Sequence, residues 1–271
     1  MSRLKIFLII VGVGIVLLGA GWYLGLGGEM KDLSWEDLEE DECNVLALNL
    51  NGYLTTYTLP LAEGEEASDL TTSTNLVDGI LTAKDDDEIK AVILSIDSPG
   101  GDGVAGEEVA NALKNLNKPS VAVVRGVGAS AAYWAASGAD KIYASKISDV
   151  GSIGVTSSYL DETIKNAKEG YTYTEISSAK YKNVGDPGRP LSAEERALWQ
   201  ADIDKAHQVF VEAVAANRQL ELAAVQKLAN GLTYLGEAAL AHGLIDEIGD
   251  MAKATKFIEE QIGAPAQVCW Y

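Results

Sequence analysis

Histidine, cysteine and basic side chains are scarce in this sequence. Its 271 residues include two histidines and two cysteines, and 21 basic residues stand against 40 acidic ones, so the formal net charge is -19. A surface of that charge repels phosphate backbones, and we therefore expect no nucleic-acid partner. Because the sequence has no CxxC pair and no cluster of cysteine with histidine, we expect no metal site and no cofactor.

The N-terminal segment differs in composition from the rest of the chain. Residues 1–5 are basic, and residues 6–27 carry no charge. About 20 apolar residues match the hydrocarbon core of a bilayer, so we predict that residues 6–27 form an uncleaved transmembrane anchor. Arg3 and Lys5 precede this span and the linker 28–42 is acidic. The positive-inside rule therefore places residues 1–5 in the cytoplasm and the remaining chain on the extracytoplasmic side of the cytoplasmic membrane.

Beyond the linker, short apolar runs alternate with helical patterns, as in right-handed βαβ units. The runs, which are typical of buried parallel strands, occupy residues 45–50, 91–94, 121–124 and 141–144. Ser192 and Glu195 form an S-x-x-E capping box at the start of a long helix that we expect to run to about Leu220. We predict one α/β domain over residues 43–271, with a helical C-terminal portion.

The two cysteines, Cys43 and Cys269, lie at opposite ends of this predicted domain. An oxidising compartment would permit a disulfide between them. Two free, partly buried thiols fit the sequence equally well, so both interpretations remain open at this point.

Two glycine-rich turns at strand-to-helix junctions are candidates for chemistry. The first, at residues 97–103, can present backbone N–H groups to an oxyanion because glycine leaves them unobstructed. The second, at residues 126–130, places Ser130 at the start of a small-residue helix, whose dipole would stabilise developing negative charge. The alternatives are a plain Pro-Gly turn and a serine that only caps the helix. Together, two such turns in successive units favour an oxyanion loop and a nucleophile.

The general base is harder to assign. His207 falls inside the long helix and His242 at a helix end, so we interpret them as a helix-face residue and a partner of the helix dipole. The polar loop 177–187 carries two lysines. A lysine becomes a base only when desolvation or nearby positive charge lowers its pKa. The alternative is that both lysines are simply solvated.

Taken in order, these motifs resemble the short bacterial form of the signal peptide peptidase A family, peptidase family S49 of the ClpP/crotonase superfamily. The matching motifs are Ser-Pro-Gly-Gly at 98–101, Ala-Ser-Ala-Ala-Tyr-Trp at 129–134, Gly-Ser-Ile-Gly at 151–154 and Lys-Tyr-Lys-Asn-Val-Gly-Asp-Pro at 180–187, followed by segments at 230–239 and 243–249. The resemblance implies a ClpP/crotonase-like spiral of ββα units. This chain has Ala131-Ala132 where members often have Gly-Gly, a departure that can narrow the pocket.

The resemblance also implies the roles of individual residues. Ser130 matches the nucleophile, Lys182 the general base and Ser152 a serine that orients the lysine amine, while Gly100 and Gly101 match the oxyanion loop. In this family the serine and the lysine of one site come from neighbouring copies, which implies a ring-shaped homo-oligomer.

The family's substrates are remnant signal peptides and similar apolar peptides. Three alternatives remain beside this interpretation. The first is an NfeD-type membrane serine protease that acts on other apolar segments, the second is a crotonase-type acyl-CoA enzyme, and the third is a non-catalytic scaffold that binds peptides.

Overall fold

A computed structural model describes residues 43–58 and 70–271 of the chain. The predicted anchor at residues 6–27, together with segments 1–5 and 28–42, lies outside the described residues, and its membrane insertion stays a prediction. Within the described part, none of the helices has the length and hydropathy that crossing a membrane requires.

The described residues form nine strands and eight helices. The strands are β1 (Val45–Thr55), β2 (Leu70–Thr72), β3 (Ala91–Gly101), β4 (Ser120–Ala129), β5 (Lys141–Ala144), β6 (Asp149–Gly151), β7 (Thr233–Leu235), β8 (Glu247–Ile248) and β9 (Val268–Trp270). The helices are α1 (Ser73–Asp85), α2 (Gly103–Lys114), α3 (Ala131–Ser137), α4 (Thr163–Lys168), α5 (Ala193–Arg218), α6 (Leu222–Leu228), α7 (Gly236–Ala241) and α8 (Met251–Ile262).

The strands build one sheet whose main path runs β2-β1-β3-β4-β5-β8. Every pairing along this path is parallel. Strand β6 continues beside the end of β4, β7 runs antiparallel to β6, and β9 pairs with the start of β1. The prediction of a mixed α/β fold with strand–helix alternation is therefore confirmed.

Side chains from both faces of the sheet are buried, which explains the nearly continuous apolar runs in the sequence. Leu48 and Leu94 belong to the larger core that α1, α2 and α3 cover. Ile93 and Val123 face the other way and pack with Ile258 of α8. Each fully buried aliphatic side chain contributes about 1.5–3 kcal/mol of transfer free energy, so this two-sided core holds the strand ends firmly in place.

Helix α3 is fixed by close contacts on two sides. All seven of its residues are buried. A methyl group added to Gly106 of α2 would lie 2.4 Å from the Ala131 carbonyl oxygen, so only glycine permits this approach of α2 to α3. The ring of Trp134 stacks on Phe210 of α5, with centroids 4.6 Å apart. The start of α3 is thus held between two helices.

The cysteines are joined in a disulfide that connects the two ends of the described chain. The Cα atoms of Cys43 and Cys269 are 5.7 Å apart. They are neighbours because β9 pairs in parallel with β1, with Val45 opposite Val268. The structure therefore supports the disulfide and not two free thiols. The pairing of β9 with β1 brings the two cysteines together, which the sequence alone does not show.

Replacing Cys43 and Cys269 together by alanine should lower the free energy of unfolding by about 2–5 kcal/mol. The cross-link spans 226 residues of sequence and restricts the unfolded chain. Urea denaturation with and without reductant measures the effect. Reductant should shift the midpoint of the native chain and leave the double variant unchanged, whereas an unshifted native midpoint would contradict the stabilising role.

Gly106→Ala should lower the free energy of unfolding by about 1–3 kcal/mol, since its methyl group would overlap the backbone of α3. Gly103→Ala is the matched control in the same helix. An added methyl there would meet Trp134 at 3.8 Å, an ordinary contact. We expect it to be neutral or to stabilise by up to about 1 kcal/mol. Equal stability of the two variants, measured by thermal or urea denaturation, would argue against the close packing of α2 on α3.

Candidate active site

Ser130 occupies the junction between β4 and α3 in an unusual backbone conformation. Its φ of 53° and ψ of -126° are rare for a residue with a side chain and carry strain. Its N–H donates to the Gly151 carbonyl at 2.7 Å, and its carbonyl accepts from the Trp134 N–H at 3.0 Å. Although Ser130 stands at the cap position of α3, its side chain makes no capping hydrogen bond. The capping interpretation is therefore not what the structure shows.

The side chain of Ser130 lines a cleft of about 390 Å³. The walls come from the β4–α3 junction, the segment after β6, helix α5 and the connection between α6 and β7. The lining residues are Ser130, Ser152, Gly154, Val155, Thr156, His207, Ala229, Asn230 and Gly231. No described residue hydrogen-bonds the Ser130 hydroxyl, which leaves it open to the cleft.

Ser152 lines the same cleft as Ser130. It also has positive φ, at 51°, and its N–H donates to the Leu232 carbonyl at 2.9 Å. Its hydroxyl donates to the Gly231 carbonyl at 3.0 Å. With its proton donated there, the hydroxyl oxygen keeps lone pairs that can accept a hydrogen bond from a further donor.

The end of β3 brings the glycine loop against Ser130. Gly100 has φ of 105°, and a methyl group on it would lie 2.7 Å from Ser130 Cβ and 3.0 Å from the Ala131 nitrogen. Its N–H donates to Ser98 Oγ at 3.1 Å. A methyl group on Gly101 would lie 1.8 Å from the Leu54 carbonyl oxygen. Both positions therefore require glycine, and the loop backbone reaches the vicinity of the Ser130 side chain.

The two loop lysines have different surroundings. Lys180 Nζ lies 2.7 Å from both carboxylate oxygens of Glu194, and this pairing raises the pKa of Lys180. Lys182 is exposed, pairs with no carboxylate of the described residues and does not line the cleft. One chain thus brings Ser130, Ser152 and Gly100 together and leaves Lys182 apart from them.

His207 lines the cleft, although its position in the sequence predicts an ordinary helix-face residue. It is half-buried on α5 and lines the same cleft as Ser130, although no described hydrogen bond joins the two side chains. The helical spacing offered a signal, since His207 lies three and seven residues before Phe210 and Val214, which are both buried. His242 packs edge-on against Tyr234, with ring centroids 5.2 Å apart, and is not a cleft residue.

Comparison with known proteins assigns the chain to a family. The sequence model of "Peptidase family S49" matches residues 112–264, and that of "Clp protease" matches residues 64–148. Protease 4 of Haemophilus influenzae is 35% identical over 66% of this chain and 30% of its own length. The chloroplastic serine protease SPPA of Arabidopsis thaliana is 31% identical over 70% of this chain and 28% of its own length.

These two relatives are much longer than the part that this chain matches. Among solved structures, a point mutant of the 1510-N membrane-bound stomatin-specific protease aligns with a TM-score of 0.51 and 14% identity. That alignment covers 84% of this chain and 97% of the other, and at this identity it shows a shared fold alone. Because the S49 model matches more than half of its length, the chain belongs to peptidase family S49, the signal peptide peptidase A type of serine peptidases.

Proposed function

We propose that this chain is a membrane-anchored serine endopeptidase in which Ser130 is the nucleophile and Lys182 the general base. The observation that carries the proposal is the strained backbone of Ser130 at a strand-to-helix junction, with its side chain lining a cleft. Such strain costs about 1–3 kcal/mol and persists where the surrounding structure imposes it, which is typical of active sites. A sharp turn of this kind exposes a nucleophile at the end of a sheet.

The oxyanion would bind where the glycine loop meets the start of α3. Gly100 and Gly101 form the proposed oxyanion loop. Because the Gly100 N–H already donates to Ser98, we assign the donors to the amides of Gly101 and Ala131. Ala131 is the first residue of α3, so its N–H has no acceptor within the helix. The helix dipole adds to the stabilisation of negative charge at this point.

The proposed reaction follows from these groups. Neutral Lys182 removes the proton from the Ser130 hydroxyl, and the serine oxygen attacks a peptide carbonyl. The amides hold the oxyanion while the protonated Lys182 returns its proton to the nitrogen of the scissile bond. The C–N bond then breaks, the amine leaves, and water hydrolyses the acyl-enzyme that remains. Ser152 would accept a hydrogen bond from the lysine amine, for which its hydroxyl oxygen keeps free lone pairs.

A second copy of the chain would supply the lysine. Lys182 does not line the cleft of its own chain. The lysine that completes the site around Ser130 would therefore come from another copy. The segment around it also exposes large apolar side chains, and α4 buries no residue. These side chains, with their exposed fractions, are Leu160 (69%), Ile164 (72%), Tyr171 (68%) and Ile176 (95%). Exposed apolar surface of this kind is typical of subunit contacts, which supports a ring-shaped homo-oligomer.

Remnant signal peptides and similar apolar peptides are the proposed substrates. The cleft next to Ser130 has small and apolar walls in Gly154, Val155 and Ala229, which suit small side chains. An anchor at residues 6–27 would keep the protein at the membrane, where such peptides remain after secretion. Other apolar membrane segments are the alternative substrates.

Ser130→Ala and Lys182→Ala, made separately in the full chain, should each lower the cleavage rate of a signal-peptide substrate at least a thousandfold, on the order of other dyad and triad deletions. Mass spectrometry of the products measures the rate and the cleaved bonds. Lys256→Ala, an exposed lysine on α8, is the matched control and should keep the native rate.

Mixing the two inactive variants tests the shared site. Rings that contain both variants should regain activity, because some interfaces then combine an intact serine with an intact lysine. A native rate in either single variant would disprove the dyad. Differently tagged copies would verify that mixed rings form. If such rings show no activity, the serine and the lysine of one site belong to the same chain. Binding of the peptide by the native chain without cleavage would favour the scaffold interpretation.

Deleting residues 1–27 should release the protein from membranes. The full chain should pellet with the membrane fraction and resist extraction at alkaline pH, because a span of about 20 apolar residues inserts stably. A control with two arginines in the middle of residues 6–27 should behave like the deletion, since each costs about 2.5–3.5 kcal/mol there. Extraction of the full chain at alkaline pH would contradict the anchor.

A further inference from the structure

The loop that carries Lys182 is held by two adjacent carboxylates in the first turn of α5. Glu194 accepts hydrogen bonds from Lys180 Nζ, at 2.7 Å to each oxygen, and from the Tyr181 hydroxyl. Lys180 and Tyr181 directly precede Lys182 in the loop. Both oxygens of Glu194 are therefore occupied by neighbours of the proposed base.

The residue after Lys182 is tied to the second carboxylate through Arg189. Arg189 donates to the Asn183 carbonyl at 2.9 Å and to the two oxygens of Glu195 at 2.6 and 3.0 Å. Glu195 also closes the capping box with Ser192, and Arg189 and Ser192 lower the pKa of Glu195 to about 2. The loop is thus tied to the start of α5 on both sides of Lys182, and the Lys182 side chain projects without a carboxylate partner among the described residues.

We propose that Lys180 is a positioning residue that occupies Glu194 and so prevents this carboxylate from pairing with Lys182. The inference rests on the proposed function, because it concerns Lys182 as a base. A lysine that pairs with a carboxylate keeps its proton and cannot accept another. Tyr181, the residue directly before Lys182, also reaches Glu194, so this carboxylate lies beside the part of the loop that carries Lys182.

Other charged groups around the loop are already engaged. The ionisable side chains of the loop and of the segments packed against it include Tyr159, Glu162, Tyr173, Glu175, Lys180, Tyr181, Asp186, Arg189, Glu194, Glu195 and Arg196. Glu162 pairs with Lys165 at 3.0 Å. Arg189 pairs with both Glu175 and Glu195, and Asp186 accepts from the Gly188 N–H at 2.8 Å. Glu194 is the carboxylate whose occupation depends on Lys180.

The ion pair between Lys180 and Glu194 has little to do with folding. Their side chains are 64% and 54% exposed, and exposed pairs contribute little to stability. Hydrogen bonds from Lys180 and Tyr181 lower the pKa of Glu194, so this carboxylate is charged throughout the neutral range. It would compete for Lys182 at every pH at which the enzyme works, and removing Lys180 should change catalysis rather than folding.

Lys180→Met in the full chain tests the inference through the pH dependence of kcat. We expect the acidic limb of the profile to move to higher pH by about one unit, because a newly freed carboxylate favours the charged lysine. Below the limb the rate should fall about tenfold, and at high pH it should approach the native rate. Lys180→Arg should keep the native profile, since arginine can still pair with Glu194. Lys180→Met combined with Glu194→Gln should restore it.

The outcomes separate this inference from the proposed function. A native pH profile for Lys180→Met would overturn the inference about Lys180. A loss of rate that is equal at every pH and is not restored by Glu194→Gln would also overturn it. If Lys182→Ala keeps the native rate, the proposed dyad itself fails. Circular dichroism and thermal denaturation of all variants should match the native chain, which excludes unfolding as the cause of a shift.

Discussion

The hydrogen bond from the Ser130 N–H to the Gly151 carbonyl, 2.7 Å long, is the interaction on which the candidate site depends. It continues the parallel pairing of β4 with β6, in which Ala129 lies opposite Gly151. By holding the backbone of Ser130 at positive φ, it directs the side chain toward the cleft instead of toward the amides of α3. The same pairing brings Ser152, the residue after Gly151, into the lining of the same cleft.

This arrangement is stable because the surrounding core outweighs the strain. A non-glycine residue at positive φ costs about 1–3 kcal/mol. The buried residues next to it include Tyr133 and Trp134, and an aromatic or aliphatic side chain contributes about 1.5–3 kcal/mol when it is fully buried. The contact of Gly106 with Ala131 and the stacking of Trp134 on Phe210 prevent α3 from moving to relieve Ser130. Rigid packing on both sides of the turn therefore maintains a conformation that the residue would not adopt alone.

Much of this fold could be predicted from local patterns. The apolar runs mark the central strands, and the capping box of Ser192 and Glu195 is present as predicted. Helix α5 ends at Arg218, close to the predicted end near Leu220, where Gln219 adopts a left-handed conformation. Local patterns do not predict the three-residue strands β2, β6, β7 and β9, because so few residues show no periodicity. The disulfide stayed undecided for the same reason, because its proximity depends on the pairing of β9 with β1.

The site was predictable only where it depends on backbone turns. Glycines and a serine after a strand are local features, whereas the approach of His207 to the cleft depends on how α5 packs against α3. The proposed role of Lys182 as a base depends on surroundings that its own chain does not provide. A lysine in water keeps its proton at neutral pH, and it loses the proton only when burial or positive charge disfavours the ammonium. In the proposed ring, a neighbouring copy would supply that burial together with Ser130, so assembly and activation would be a single event.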